Sequence, residues 1–178
     1  MEYKVYYLKP SKDYEKKRFG FAESPAHINS SLLYEGVPLE IEWKLITLEM
    51  PYGDFPDFLD CSLNKPLCSN ELKNLINENC NNKADINRLP VNISNGVKLE
   101  TYYFLHVPHF TPNVIDMDKS WRDEDVIFAP HFKRELIINK DVFASDDDLT
   151  KVYFSEKLKK SIEKSNLKGV GFDSWKAS

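Results

Sequence analysis

Glycine is scarce in this chain, and long apolar runs are lacking. The six glycines do not form the G-x-G-x-x-G or Walker patterns with which nucleotide-binding folds hold phosphates. No stretch approaches the ~20 apolar residues that a membrane-spanning helix needs. Charges at Glu2, Lys4 and Lys9 stand where a signal peptide has its apolar segment. The sequence therefore predicts a soluble protein without a nucleotide fold, a leader or a membrane association.

Cysteine is also rare, and its spacing excludes the common metal and redox motifs. Cys61, Cys68 and Cys80 include no C-x-x-C pair, so neither a zinc knuckle nor a thioredoxin-like motif is available. An odd set without a pairing pattern is typical of reduced thiols in a cytosolic protein. We therefore predict a cytoplasmic location.

Positive charge is in deficit. The chain has 24 Lys and Arg against 28 Asp and Glu, a net charge of −4. Nucleic-acid binding depends on Lys and Arg that neutralise phosphates, so this balance argues against a nucleic-acid partner. A mildly acidic protein instead attracts basic proteins.

The remaining composition fits one globular domain over residues 1–178. Hydrophobic residues make up 42% and charged residues 29% of the chain, close to globular averages. This length can bury a sizeable core without disulfides or metal. Aromatic residues are abundant at 13%, mostly Phe and Tyr, and favour strands.

Alternation of apolar and polar residues predicts the main strands. The segments with this pattern are Glu2–Leu8, Leu39–Leu48, Ile86–Ile93 and Lys98–Val107. The second segment is the cleanest, with one apolar face made of Leu39, Ile41, Trp43 and Leu45. Shorter extended segments are predicted at Val126–Phe128, Glu135–Asn139, Val152–Phe154 and Val170–Phe172, and a long loop at Pro10–Ser31.

Two amphipathic helices are predicted by their caps. The pattern Ser-x-x-Leu-Lys-x-x-Ile occurs at Ser69–Ile76 and again at Ser155–Ile162. In each, the serine side chain can accept an unpaired amide of the first turn, and Leu and Ile share one buried face. Gly169 is a suitable stop after the second helix. We predict an α+β fold with antiparallel or mixed sheets, in which two similar helix–strand units pack on one sheet system.

One segment offers ligands for a metal. His106, His109 and Asp116 lie within eleven residues of one another, whereas zinc needs three or four convergent ligands. On a strand, positions 106 and 109 point to opposite faces, so a loop leaving a sheet edge is favoured. A metal-dependent hydrolase using these three residues remains the alternative function.

Other catalytic patterns are weaker still. Glu40 and Glu42 share one strand face and are interpreted as its solvated side. No Gly-x-Ser-x-Gly elbow is present. We predict a protein that is not an enzyme, with no catalytic residue, metal or cofactor.

Two acidic runs with aromatic neighbours are candidates for binding a basic partner. Charged residues at the rim of an interface accelerate encounter, while aromatic anchors supply most of the affinity. The same runs are also compatible with solvated loops. The candidate contact residues are Trp121, Asp123, Glu124, Asp125, Asp146, Asp147, Asp148 and Tyr153.

Several short segments occur in a recognisable order: Pro56–Leu59, Lys65–Lys73, Leu89–Val91, Tyr102–Leu105, Ile115–Ser120, Val152–Lys159 and Asn166–Phe172. Their order and spacing resemble an immunity-protein family of bacterial polymorphic toxin systems, the one numbered eleven and formerly a domain of unknown function. The likeness covers about two thirds of the chain, from Asp54 onward. His106 departs from the Asn that the family tends to have there.

This resemblance implies a cytoplasmic antidote that binds a cognate toxin and blocks it sterically. The matching residues include Leu72, Pro90, Leu158 and Gly169, which have structural character. They therefore identify the fold and not the toxin-binding surface.

Overall fold

The computed structural model describes residues 3–14, 16–17, 19–24, 33–39, 43–63, 65–124 and 126–178. In these residues the strands are β1 (Tyr3–Pro10), β2 (Phe21–Ala22), β3 (Ile46–Glu49), β4 (Phe58–Cys61), β5 (Leu67–Cys68), β6 (Asn87–Ser94), β7 (Leu99–His106), β8 (Trp121–Asp123), β9 (Val126–Ala129), β10 (His131–Phe132), β11 (Val142–Ser145), β12 (Asp148–Phe154) and β13 (Val170–Ala177). The helices are α1 (Asn70–Asn79), α2 (Arg134–Ile137) and α3 (Glu156–Lys164).

The strands form two large sheets and one separate hairpin. One sheet has six strands in the order β2-β4-β5-β7-β6-β3, and the other has five in the order β10-β13-β1-β12-β11. Both are mixed, because β2–β4, β3–β6 and β10–β13 are parallel pairs in otherwise antiparallel sheets. The hairpin is made of β8 and β9. The predicted α+β fold with mixed sheets is confirmed.

A layer of two helices lies between the sheets. Leu72 and Ile76 of α1 and Leu158 and Ile162 of α3 share one hydrophobic cluster with inward-facing residues of both sheets. The outer face of each sheet has a cluster of its own. Leu33, Leu48 and Met50 contribute to the cluster on the six-stranded sheet. Val114, Ile115, Phe132 and Ile137 contribute to the cluster on the five-stranded sheet. Strands at the centre of each sheet are therefore buried on both faces.

The predicted starts of the two helices are confirmed. The Ser69 hydroxyl accepts a hydrogen bond from the Leu72 amide, and the Ser155 hydroxyl accepts one from the Leu158 amide, each at 3.2 Å. The α3 helix ends at Lys164 with Ser165 as its cap, and Asn166 (φ +56°) takes the left-handed conformation there, so Gly169 (φ +76°) is not the stop that was predicted. In the described part of the chain, no helix has the length and apolar character needed to cross a membrane.

Two strand predictions are wrong. In the segment predicted as Leu39–Leu48, the described residues 39 and 43–45 are not in a strand, β3 begins at Ile46, and Leu45, expected to face inward, is 58% exposed. Residues 40–42, including Glu40 and Glu42, lie outside the described residues. The segment Glu135–Asn139 is not extended, because most of it lies in the single turn of α2, which buries Ile137 alone.

The predicted pair of helix–strand units is present, but each unit has a sheet of its own. From β3 to β7, the first unit places its strands in the order β4-β5-β7-β6-β3, with α1 between β5 and β6. The second unit places β11-β12-β1-β13-β10 in the same way, with α3 between β12 and β13. Every pair of neighbours also agrees in direction between the two units. The N-terminal strand β1 thus occupies the place that β7 has in the first unit.

A reciprocal pair of aspartates connects the two units. The Asp57 carboxylate accepts a hydrogen bond from the Ser69 hydroxyl at 2.7 Å and one from the Lys168 amide, which follows α3, at 2.7 Å. The Asp141 carboxylate accepts from the Ser155 hydroxyl at 2.6 Å and from the Asn81 amide, which follows α1, at 2.9 Å. Each aspartate therefore supports the cap of one helix and holds the segment that leaves the other.

We expect a circular permutant to fold if the two units are equivalent. Tyr3 of β1 lies opposite Ala177 of β13, so a short linker can join residue 178 to residue 1, with new termini in the exposed turn at Lys16 and Lys17. Permutation at such surface turns is generally tolerated. Urea unfolding followed by circular dichroism should show one cooperative transition, within about 2 kcal/mol of the parent chain. A permutant without a cooperative transition would contradict the equivalence.

Asp141→Asn should destabilise the protein by about 1–3 kcal/mol at neutral pH, because an amide cannot accept all the bonds that the carboxylate receives. Burial raises the pKa of Asp141, but hydrogen bonds from Ser155, Asn81 and Lys157 outweigh it and lower the pKa overall. A lowered folded pKa gives stability that is present above the unfolded value of about 3.9 and is lost as pH falls through the folded value.

The free-energy difference between parent and variant should therefore shrink in acid. It is measured by urea unfolding from pH 7 to pH 3, with Asp118→Asn, an exposed position, as the control for loss of one charge. A difference that stays constant with pH would contradict this role of Asp141.

Candidate functional site

The β8–β9 hairpin exposes an aromatic pair. Trp121 is 69% exposed and Phe128 is 50% exposed, and their ring centroids lie 5.2 Å apart. Val126 and Met117 are also exposed beside them. Trp121 and Phe128 are large apolar side chains without a core to enter, and contiguous exposed apolar groups often mark a binding surface.

Ile127 connects this hairpin to the hydrophobic core. Ile127 is partly buried and packs on the outer cluster of the five-stranded sheet. It lies opposite Arg122 in the register, while Asp123 lies opposite Val126. Glu124 at the turn has a φ of +48°, which is uncommon for a residue other than glycine. The hairpin therefore stands out from the sheet with its charged turn in solvent.

The second acidic run lies beside this hairpin. Asp146 and Asp147 form the exposed turn between β11 and β12. Asp147 lines a recess of about 510 Å³ together with Glu124, although 23 residues separate them in the sequence. The structure thus brings the two predicted acidic runs together. We name as the hairpin surface the exposed residues Met117, Trp121, Asp123, Glu124, Val126, Phe128, Asp146 and Asp147.

Two predicted contact residues do not belong to this surface. Tyr153 is 1% exposed, because residues of β12 alternate between the two buried faces of the sheet and its ring stacks on Phe143. Asp148 is half-buried and forms an ion pair with Lys151 at 2.6 Å. Asp125 lies outside the described residues.

The residues of the alternative hydrolase site do not converge. In the described part of the chain, no group of three or more His, Cys, Asp or Glu side chains is arranged to hold a metal ion. The buried His106 ring is within 3.2 Å of the Asn87 amide and 3.1 Å of the Tyr34 carbonyl. Its Nε2 therefore donates to the carbonyl and its Nδ1 accepts, and burial lowers its pKa. His109 is exposed, and Asp116 pairs with Lys119 at 3.1 Å.

A buried ion pair was not predicted from the sequence. Lys65 and Glu35 are both almost completely buried and bonded to each other. The second carboxylate oxygen of Glu35 accepts from the Val107 amide. Burial raises the pKa of Glu35 and lowers that of Lys65. These contacts tie residues 33–37 to the six-stranded sheet and have a structural character.

A second open surface differs from the hairpin surface in its charges. It is a groove of about 1110 Å³ whose polar side chains include Lys12, Lys16, Asp54 and Asp60. Tyr52, which is also exposed, lies at this groove. Since both signs of charge alternate there, the groove has no clear complement among charged partners.

Comparison with known proteins identifies one family. The model of a family described as an immunity protein family, Imm11, matches residues 46–177, which are 132 of the 178 residues. The match begins at the first residue of β3 and ends at the last residue of β13, so it includes the hairpin surface. No curated protein sequence matches the chain.

Substitutions should separate the exposed from the buried aromatic residues. Tyr153→Ala should lower the free energy of unfolding by about 3–5 kcal/mol, because it leaves a cavity among packed rings. Trp121→Ala should lower it by less than about 1 kcal/mol, since the side chain loses little more than its contact with Phe128. Chemical denaturation of both variants measures this. Equal destabilisation by the two substitutions would be inconsistent with the hairpin being a free surface.

Proposed function

Because the chain belongs to the Imm11 immunity protein family, we propose that it binds a cognate bacterial toxin in the cytoplasm and neutralises it by steric blockade. In this proposal residues 1–178 act as one domain that covers a toxin surface and catalyses no reaction. Family membership over 132 residues is the observation that carries the proposal.

The hairpin surface is the contact region we propose. Trp and Tyr with a polar surround are typical of binding hot spots, and Trp121 has this setting, with Asp123 and Glu124 on the same hairpin. A rigid aromatic side chain supplies contact area at a small entropy cost. Interface formation would remove Trp121, Val126 and Phe128 from water.

The charges of this surface favour a basic toxin. Its carboxylates are Asp123, Glu124, Asp146 and Asp147, and Arg122 is the cation among them. Lys119 nearby is already paired with Asp116. A local excess of negative charge accelerates association with a positive surface and is sensitive to salt. A toxin that acts on an anionic substrate such as a nucleic acid presents such a positive surface.

Co-expression with the product of the gene immediately upstream, which this proposal takes as the toxin, is the test. The parent chain should restore growth and co-purify with the toxin. Trp121→Ala combined with Phe128→Ala should abolish protection, because loss of central aromatic anchors typically weakens binding by 2 kcal/mol or more for each residue.

Tyr52→Ala provides the matched control, since Tyr52 is an exposed aromatic residue outside the hairpin surface. The control should protect like the parent. Growth arrest despite good expression of the parent chain and toxin would contradict the immunity mechanism. Loss of protection by Tyr52→Ala alone would move the contact region to the groove.

A further inference from the structure

The Asp147 carboxylate, unlike those of Asp148 and Asp116, has no cation within ion-pair distance among the described residues. Asp148 pairs with Lys151 and Asp116 with Lys119. The Asp147 carboxylate accepts a hydrogen bond from the Ser145 hydroxyl at 3.4 Å, and the Asp147 amide donates to that hydroxyl at 3.2 Å. The Asp147 carboxyl also contacts that of Asp146. The turn thus fixes this carboxylate in place without neutralising it.

The environment of Asp147 makes its charge costly. Desolvation and the neighbouring Asp146 carboxylate raise the pKa of Asp147 above its usual value. A carboxylate whose pKa is raised in this way is stabilised by any cation that approaches it. A cation that approaches Asp147 therefore offsets both its partial desolvation and the repulsion from Asp146.

The recess beside Asp147 has the form of a receptor for a long side chain. Met117, Val126 and Ile127 supply its apolar lining, and Glu124 and Asp147 supply carboxylates. Lysine and arginine have this same combination, an apolar stem that ends in a cation. An apolar side chain would leave both carboxylates unpaired, and an acidic one would be repelled by them.

Arg122 also lines the recess, but it is not the cation that pairs with the Asp147 carboxylate. Its Nη1 lies 3.5 Å from the Glu124 carbonyl oxygen, a long contact, and its side chain is exposed. No ion pair joins it to Asp147 in the described structure. An exposed guanidinium of this kind can move aside at a small cost.

A second unsatisfied group lies next to the recess. Trp175 lines a smaller cavity that also includes Ile127, Phe128 and Asp147. Its indole Nε1 is buried and has no hydrogen-bond acceptor among the described residues. A buried donor without an acceptor costs about 1–3 kcal/mol in general and is uncommon in folded proteins. The cavity beneath the hairpin is therefore lined by Asp147 and by the Trp175 ring that carries this unpaired donor.

We propose that the recess between the β8–β9 hairpin and the Asp146–Asp147 turn receives one lysine or arginine side chain of the toxin. This inference rests on the proposed function and specifies its central polar contact. The stem packs on Met117, Val126 and Ile127, and the cation pairs with Asp147 and Glu124. Asp123 and Asp146 remain at the rim, where they steer the approach.

The two positions of the acidic turn give a sharp test. Stopped-flow or surface-plasmon measurements would follow binding of a catalytically inactive form of the upstream-encoded toxin domain. Asp147→Asn should raise the dissociation rate by about thirtyfold or more, because it removes one partner of an enclosed charge pair. Asp146→Asn, the matched control on the adjacent residue, should change mainly the association rate, by a few-fold.

Salt separates enclosed from exposed charges. At 1 M NaCl the effect of Asp146→Asn should vanish, since exposed charges are screened within about 3 Å, while the effect of Asp147→Asn on dissociation persists. Glu124→Gln, on the hairpin itself, should also raise the dissociation rate. Because this residue lies outside the Asp146–Asp147 turn, agreement between the two variants shows that the effect is not a local folding defect of that turn.

The outcomes distinguish failure of the proposed immunity function from failure of the proposed lysine or arginine contact. If the parent chain and toxin form no complex, the proposed function itself is wrong. If they form a complex but Asp147→Asn and Glu124→Gln behave like Asp146→Asn, the toxin is bound without a basic side chain in the recess and this inference is overturned.

Discussion

The carboxylates of Asp57 and Asp141 are each shared between the two helix units. Each one bonds to the serine that caps a helix in its own unit and to the amide that follows the helix of the other unit. The α1 and α3 helices therefore cannot be positioned independently. Their buried faces meet in the shared central cluster, so the placement of both sheets depends on the same two side chains. Hydrogen bonds to a charged acceptor are stronger than those between neutral groups. Carboxylates such as those of Asp57 and Asp141 can therefore hold the two units together more firmly than a neutral side chain could.

Local sequence patterns predicted the two capped helices and the longest strands, but they could not predict which distant residues and strands would pair. Ser69 and Ser155 predicted the helix starts because capping involves residues three apart, and this part of the fold is confirmed. The aspartates that support those caps lie 12 and 14 residues earlier in the chain, beyond any local pattern. The strand at Ile46–Glu49 was predicted too long, since alternation continues through Leu45 although pairing with β6 begins at Ile46. Similarly, nothing local indicated that β1 completes the sheet of the second unit.

The candidate surface was predictable only in part, for a related reason. Trp121, Asp123 and Glu124 share one hairpin, so their proximity follows from the sequence. Tyr153 was assigned to the same surface because it is close to an acidic run in the chain, but alternation on a doubly covered strand places it inside the protein. The neighbourhood of Asp147 and Glu124 arises from tertiary packing of two turns. The family resemblance, now confirmed over residues 46–177, rests on structural residues and gave no information on contacts.

The repeated frame and the candidate surface have different origins in the chain. Equivalent elements end at β7 in the first unit and resume at β10 in the second, and the β8–β9 hairpin lies between them without a counterpart. A hairpin that the frame does not need can change its exposed residues at little cost in stability, because surface substitutions usually have small effects. The proposed role as a toxin inhibitor would benefit from this separation, since specificity can vary while the two aspartate bridges keep the fold constant. The carboxylates around Trp121 and Phe128 add a second benefit, because charge beside exposed apolar groups limits their association with unintended surfaces.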